Sequence, residues 1–160
     1  MPPIQKDVFV RRAQGVDFPV IQQLVFEMDA FHHANSQERI KPADAARLKR
    51  EDFDRFLAKK NEAVIGFVRA KLQDAPEGRA HRARRTVLIH EVVIHSSARR
   101  LGAGKKLIAE VCDWAGRHGA MSLELSVYAF NEEAISFYRS LGFSDLTLRL
   151  SKKIPSPSVA

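Results

Sequence analysis

Val87-Leu88-Ile89-His90-Glu91-Val92-Val93-Ile94, then His95-Ser96-Ser97-Ala98, then Arg99-Arg100-Leu101-Gly102-Ala103-Gly104-Lys105-Lys106 and a helical run to His118 form the stretch that decides the fold. It reads as a β-branched strand, a short basic turn with two glycines, and the start of an amphipathic helix. That order builds an anion site. The first N–H groups of a helix have no intrahelical partner and lie at the positive end of the helix dipole, so the backbone itself binds a phosphate there. Gly102 and Gly104 lack the Cβ atoms that would hold a phosphate off those amides, and Arg99, Arg100, Lys105 and Lys106 add attraction. The expected ligand is a phosphorylated cofactor.

Strict alternation along Thr86 to Ile94 predicts one face made of Val87, Ile89, Glu91 and Val93. A carboxylate within so apolar a strand is costly unless solvated, paired with an arginine or used in chemistry, which singles out Glu91. In the following helix Leu107, Val111, Trp114, Ala115 and His118 trace one packing face, and Cys112 reads as a small buried side chain. Gly119 ends the helix, Ser122 to Tyr128 alternates as a strand parallel to the first, and Asn131 caps a short helix to Ser140 that Gly142 stops. A last strand is expected over Asp145 to Lys152.

Upstream, Asp7 to Ala13 reads as the first strand, and Asp17 caps a helix carrying Val20, Ile21, Leu24, Val25, Met28 and Phe31 on one side. Pro42 to Leu57 reads as a second helical region. Phe56–Lys60 and Ala63–Leu72 form a hairpin around Asn61-Glu62, and the basic stretch from Gln73 to Arg85 is expected to be a mobile loop. The adjacent His32 and His33 point about 100° apart on a helix and do not chelate together. No Cys/His cluster has metal-ligand spacing, and a single cysteine excludes an internal disulfide.

At 160 residues and 45% hydrophobic content, one domain with a proper core is the natural reading. No apolar run reaches the length of a membrane span and the N-terminus is no signal peptide, so a cytoplasmic protein is expected. The net charge of +7 asks for an anionic partner. Nucleic acid is disfavoured because the basic run has no interleaved aromatics. A nucleotide P-loop fails too, since Arg99 stands where glycine is needed and Lys106 where Ser or Thr would hold magnesium.

Two motifs carry a resemblance. Arg99-Arg100-Leu101-Gly102-Ala103-Gly104 resembles the Arg/Gln-x-x-Gly-x-Gly/Ala signature of the GNAT superfamily of acetyl-CoA-dependent N-acetyltransferases. Asn131-x-x-Ala134-x-x-Phe137-Tyr138-x-x-Leu141-Gly142-Phe143 resembles its second signature. Many members have a proline after the central strand and a glycine after the leading arginine, where this chain has Ser96 and Arg100.

The resemblance implies an α/β (α+β) single-domain fold. A mixed central sheet of about six to seven strands is flanked by about four helices, with splayed parallel central strands. The domain would span residues 1–153, with 154–160 a disordered tail. It implies acetyl-CoA as co-substrate, with Val92, Val93 and Ile94 along the pantetheine and Arg99, Arg100, Leu101, Gly102, Ala103, Gly104 and Lys105 around the pyrophosphate. Asn131, Phe137 and Tyr138 would complete the cofactor site, with Tyr138 as acid and Glu91 as candidate base or anchor for a cationic amine. His90 is ranked lower, because it falls on the other strand face unless a bulge reorients it. The expected activity is acetyl transfer to a primary amine, with a small molecule preferred. A protein lysine or N-terminus, or a CoA-binding module without catalysis, are the alternatives. A homodimer is compatible with all of these.

Overall fold

The computed structural model describes residues 8–44, 55–60 and 62–157. The chain divides into two compact units, Met1–Ser126 and Val127–Ala160. The first holds strands β1 (Val8–Arg12), β2 (Arg55–Lys60), β3 (Ala63–Ala75), β4 (Arg84–Ile94) and β5 (Ser122–Leu125), with helices α1 (Phe18–Asn35) and α2 (Ala103–Arg117). The second holds α3 (Glu132–Ser140). The strands form one sheet in the order β1-β2-β3-β4-β5, antiparallel throughout except for the parallel β4–β5 pair.

A helix covers each face of this sheet. On α1, Ile21, Leu24 and Val25 recur at helical spacing and pack with Leu57, Phe67 and Val93 in one buried cluster. Burying each such side chain stabilises by roughly 1.5–3 kcal/mol. On the opposite face, Phe56 meets Trp114 of α2 edge-on with ring centroids 5.8 Å apart, and the Arg12 guanidinium lies over both rings. The fully buried Leu107 and Val111 continue that side of α2.

Several expectations are corrected. Among the described residues there are five strands and three α-helices, not six to seven and four. The expected helix Pro42–Leu57 falls mostly outside the described residues, and its end, Phe56-Leu57, belongs to β2, where it pairs with Val68 and Phe67. The basic stretch is strand at both ends: β3 runs to Ala75 and β4 begins at Arg84, because the Arg85 guanidinium grips Asp74 with two hydrogen bonds across the ladder. Asp145 to Lys152 carries no strand ladder, since an extended segment is a strand only where a neighbour accepts its hydrogen bonds. Asp17 makes no side-chain cap; its carboxylate takes two 2.8 Å hydrogen bonds from Arg11 and one from the Gln14 amide. Cys112 is exposed rather than buried, because it falls one residue beyond Val111 on the solvent side of α2.

Candidate active site

The parallel pairing of β4 with β5 runs from Thr86 opposite Ser122 to Ile89 opposite Leu125, and stops there. β4 continues to Ile94 with β3 as its partner. Five residues, His90 to Ile94, therefore extend beyond the end of the β4–β5 ladder, and Val92, Val93 and Ile94 lie in that span.

The same point carries a β-bulge. Arg69 opposes Glu91 but the next residue, Ala70, opposes Ile89, so His90 is the extra residue on β4. The bulge reverses the alternation. Val87 and Ile89 share a face with Leu72 and Ala70, whereas Glu91 and Val93 share the other with Arg69 and Phe67. The single four-residue face expected from the sequence is therefore split between the two sides of the sheet.

Glu91 is buried at 8% exposure, and its Oε2 accepts a hydrogen bond from Arg69 Nε at 3.1 Å. Arg69 was missed from the sequence, although a lone cation among Phe67, Val68 and Ala70 is the counterpart of a lone carboxylate in β4. After Ile94, the His95 amide donates to Ile65 and the His95 ring accepts from the Ser97 amide, capping a one-turn helix over Ser96–Ala98. Glu27 of α1 stands 3.6 Å from His95 Nε2.

Two left-handed residues then shape the turn into α2: Arg100 at φ +63° and Gly102 at φ +78°. Gly102 is the N-cap without a side-chain bond, and the first helical hydrogen bond runs from the Lys106 amide to its carbonyl. The amides of Ala103, Gly104 and Lys105 thus precede the first intrahelical donor, where an anion is favoured. Arg99, Arg100 and Lys105 are exposed beside them. Lys106 is directed elsewhere, its ammonium donating to the Val8 carbonyl at 2.6 Å.

In the second unit, Asn131 caps α3 by accepting a hydrogen bond from the Ala134 amide at 3.2 Å. Gly142, at φ +91°, follows the end of the helix, and the Phe143 amide returns to the Tyr138 carbonyl. The Tyr138 ring packs against Phe137 and Phe143 at 5.3 and 5.6 Å, and burial pushes its phenol up to about 12. It therefore keeps its proton at every physiological pH. Partial burial and the neighbouring Asp113 raise the Cys112 thiol as well, which makes it a poor nucleophile. No helix among the described residues is long and apolar enough to cross a membrane.

Residues 21–143 match the model of the acetyltransferase (GNAT) family. The chain belongs to this family. Among GNAT relatives it is 28% identical over 141 residues to the uncharacterised N-acetyltransferase YhfO of Bacillus subtilis, covering 86% of this chain and 91% of that one. Its fold is similar to that of a tetramutant of the BH1408 protein of Bacillus halodurans, with TM-score 0.85 and 20% identity over 91% of this chain and 99% of the other. It is also similar to the aminoglycoside N-acetyltransferase AAC(6')-Iy in complex with CoA, with TM-score 0.66 and 18% identity over 93% and 95% of the two chains. The GNAT signatures occupy the αL turn into α2 and the capped helix α3.

Proposed function

We propose that this GNAT protein transfers the acetyl group of acetyl-CoA to the primary amine of a small molecule. The observation that carries the reading is the start of α2: three amides ahead of the first intrahelical bond follow a left-handed Gly102, with Arg99, Arg100 and Lys105 beside them. These groups fit a pyrophosphate. The backbone of Val92, Val93 and Ile94, beyond the end of the β4–β5 ladder, would take the pantetheine amides.

The chemistry joins the amine nitrogen to the acetyl carbon and breaks the carbon–sulfur bond. An ammonium has no lone pair, so a proton must first leave it, and Glu91 is the proposed acceptor, directly or through one water. Arg69 acts as a positioning residue by fixing Oε2 of that carboxylate. The departing thiolate needs a proton, and Tyr138 is the proposed donor, its phenol held protonated by burial. The acidic Glu91 favours a cationic small amine as acceptor.

Calorimetric titration of the protein with acetyl-CoA, beside thiol release with a panel of amines, tests this. Saturable binding and amine-dependent release are expected, with release falling about 10²-fold or more in Tyr138→Phe while acetyl-CoA binding persists. Absence of binding removes the pyrophosphate reading. Binding without release for any small amine removes the proposed acceptor class, and unchanged release in the variant removes Tyr138 as the acid.

A further inference from the structure

The carboxylate proposed as base is one half of an ion pair. Oε2 of Glu91 accepts a hydrogen bond from Nε of Arg69 at 3.1 Å, and the two charges cancel. A bare cationic amine drawn to Glu91 also meets the Arg69 guanidinium, and at such short range attraction and repulsion largely offset each other. The pair therefore selects for more than a positive charge.

Arg69 has donors left over. Its contact with Glu91 uses Nε, and among the described residues this side chain makes no other hydrogen bond. The two terminal nitrogens keep their N–H groups, a planar fork that matches a carboxylate. The Arg69 side chain is 25% exposed where that of Glu91 is 7%, so the guanidinium is the open side of the pair. The bulge at His90 sets both residues on the face of the sheet that α1 covers, and Glu91 lies in the part of β4 that runs on past its pairing with β5. Phe67 and Val93, each two residues from one member of the pair, are buried on that face under Ile21, Leu24 and Val25.

The complement of a fixed ion pair is a second one laid head to tail on it. In an α-amino acid the ammonium nitrogen and a carboxylate oxygen stand about 3 Å apart. That is the spacing of the Arg69–Glu91 contact itself, so the ammonium meets Glu91 while the carboxylate meets Arg69. A lysine side chain in a protein carries its amine far from any carboxylate, and a protein N-terminus has an amide in that place. We infer that the acceptor is a free α-amino acid, held through its carboxylate by Arg69 and through the amine to be acetylated by Glu91, an assignment that rests on the proposed function and narrows it. Arg69 then determines specificity as well as positioning Glu91. Acetylation turns the ammonium into a neutral amide, so the product keeps its hold on Arg69 and loses the one on Glu91.

The test is thiol release at saturating acetyl-CoA with the common α-amino acids, each beside its carboxamide and its decarboxylated amine. For the preferred side chain, kcat/KM is expected to be about tenfold or more higher for the acid than for either analogue. The α-amine of the carboxamide loses its proton the more easily, so amine basicity does not produce that order. In Arg69→Met the ratio of acid to carboxamide is expected to fall to about one. The ratio is internal to each protein, so a loss of folded enzyme cancels, and a merely structural Arg69 would lower all three substrates together. Should Arg69→Met fail to fold, Arg69→Lys keeps the charge without the planar fork, and the ratio is expected to fall about threefold or more. Carboxamides or plain amines used as well as the acids, or a ratio unchanged in the variant that folds, would overturn the inference and leave acetyl transfer to small amines standing. Acetyl-CoA binding without release for any of these amines would overturn both.

Discussion

Replacing Arg69 by methionine removes the cation that faces Glu91 while keeping most of the side-chain volume. At 3.1 Å the pair interacts by about 5 kcal/mol at an effective dielectric of about 20. That gross figure is not the net effect, because both ions lost water on folding and the Arg69 side chain is still 25% exposed against 7% for Glu91. The exposure of Arg69 lowers the value of the pair, and the burial of Glu91 raises the cost of taking its guanidinium partner away. Removing a partner from a buried pair costs about 3–5 kcal/mol, and the low end, about 3 kcal/mol, applies here. For a chain of 160 residues this lowers Tm by about 6–12 °C. The double variant Arg69→Met/Glu91→Leu removes both charges of the pair and is expected within about 1 kcal/mol of wild type, so the coupling between the sites is about 2 kcal/mol or more. Urea unfolding followed by circular dichroism, with m unchanged across the four proteins, measures all of this. An Arg69→Met variant within about 0.5 kcal/mol of wild type, or a double variant whose cost is the sum of the singles, refutes the reasoning.

Arg100→Gly removes a left-handed φ of +63° from a residue with a Cβ, and thermal melts are expected to show a gain of about 0.5–1 kcal/mol after the glycine's own entropic cost. Gly66→Ala puts a Cβ 2.6 Å from the Val93 carbonyl oxygen and from Ile94 Cδ1, so a loss of about 1–3 kcal/mol is expected in urea unfolding. The Arg11 hydrogen bonds hold the Asp17 carboxyl below its ordinary value, so their stabilisation is complete above the usual carboxylate range and disappears as pH falls through the lowered value. Asp17→Asn is expected to lose about 1–2 kcal/mol at neutral pH and to flatten the acid limb of a stability-against-pH curve. Burial holds the Tyr138 phenol at about 12, and the difference between wild-type and Tyr138→Phe absorbance titrations at alkaline pH is expected to show it ionising there. Its contribution to stability is whole below the ordinary phenol value near ~10 and is lost as pH rises through about 12.

Elements whose boundaries rest on local chemistry were legible in the sequence. Asn131 and Gly142 bracket α3, and Gly102 and Gly119 bracket α2, because a cap or a left-handed residue acts within a few positions. The turn before α2 was legible for the same reason. What was not legible depends on partners distant in the chain. Arg85 extends the β3–β4 ladder by reaching Asp74, Arg11 takes Asp17 away from its capping role, and Val8 draws Lys106 off the turn. The face of Glu91 depended on a bulge set by the neighbouring strand, and alternation read along β4 alone could not contain it. The expected strand over Asp145 to Lys152 has the right pattern, but pattern supplies only one side of a ladder.

One inserted residue, His90, divides the labour along β4. From Val87 to Ile89 the strand presents its buried side chains to the face of the sheet that α2 covers, and from Glu91 onward to the face that α1 covers. The two segments thus answer to different neighbours and can change independently. A substitution at 87 or 89 is judged against α2, one at 91 or 93 against α1. Without the bulge, regular alternation over the same residues would carry Glu91 and Val93 to the side of Val87 and Ile89, whereas deleting His90 would make Ile89 and Glu91 neighbours and keep them on opposite faces. A single inserted position thereby lets one continuous strand serve two different helices along its length.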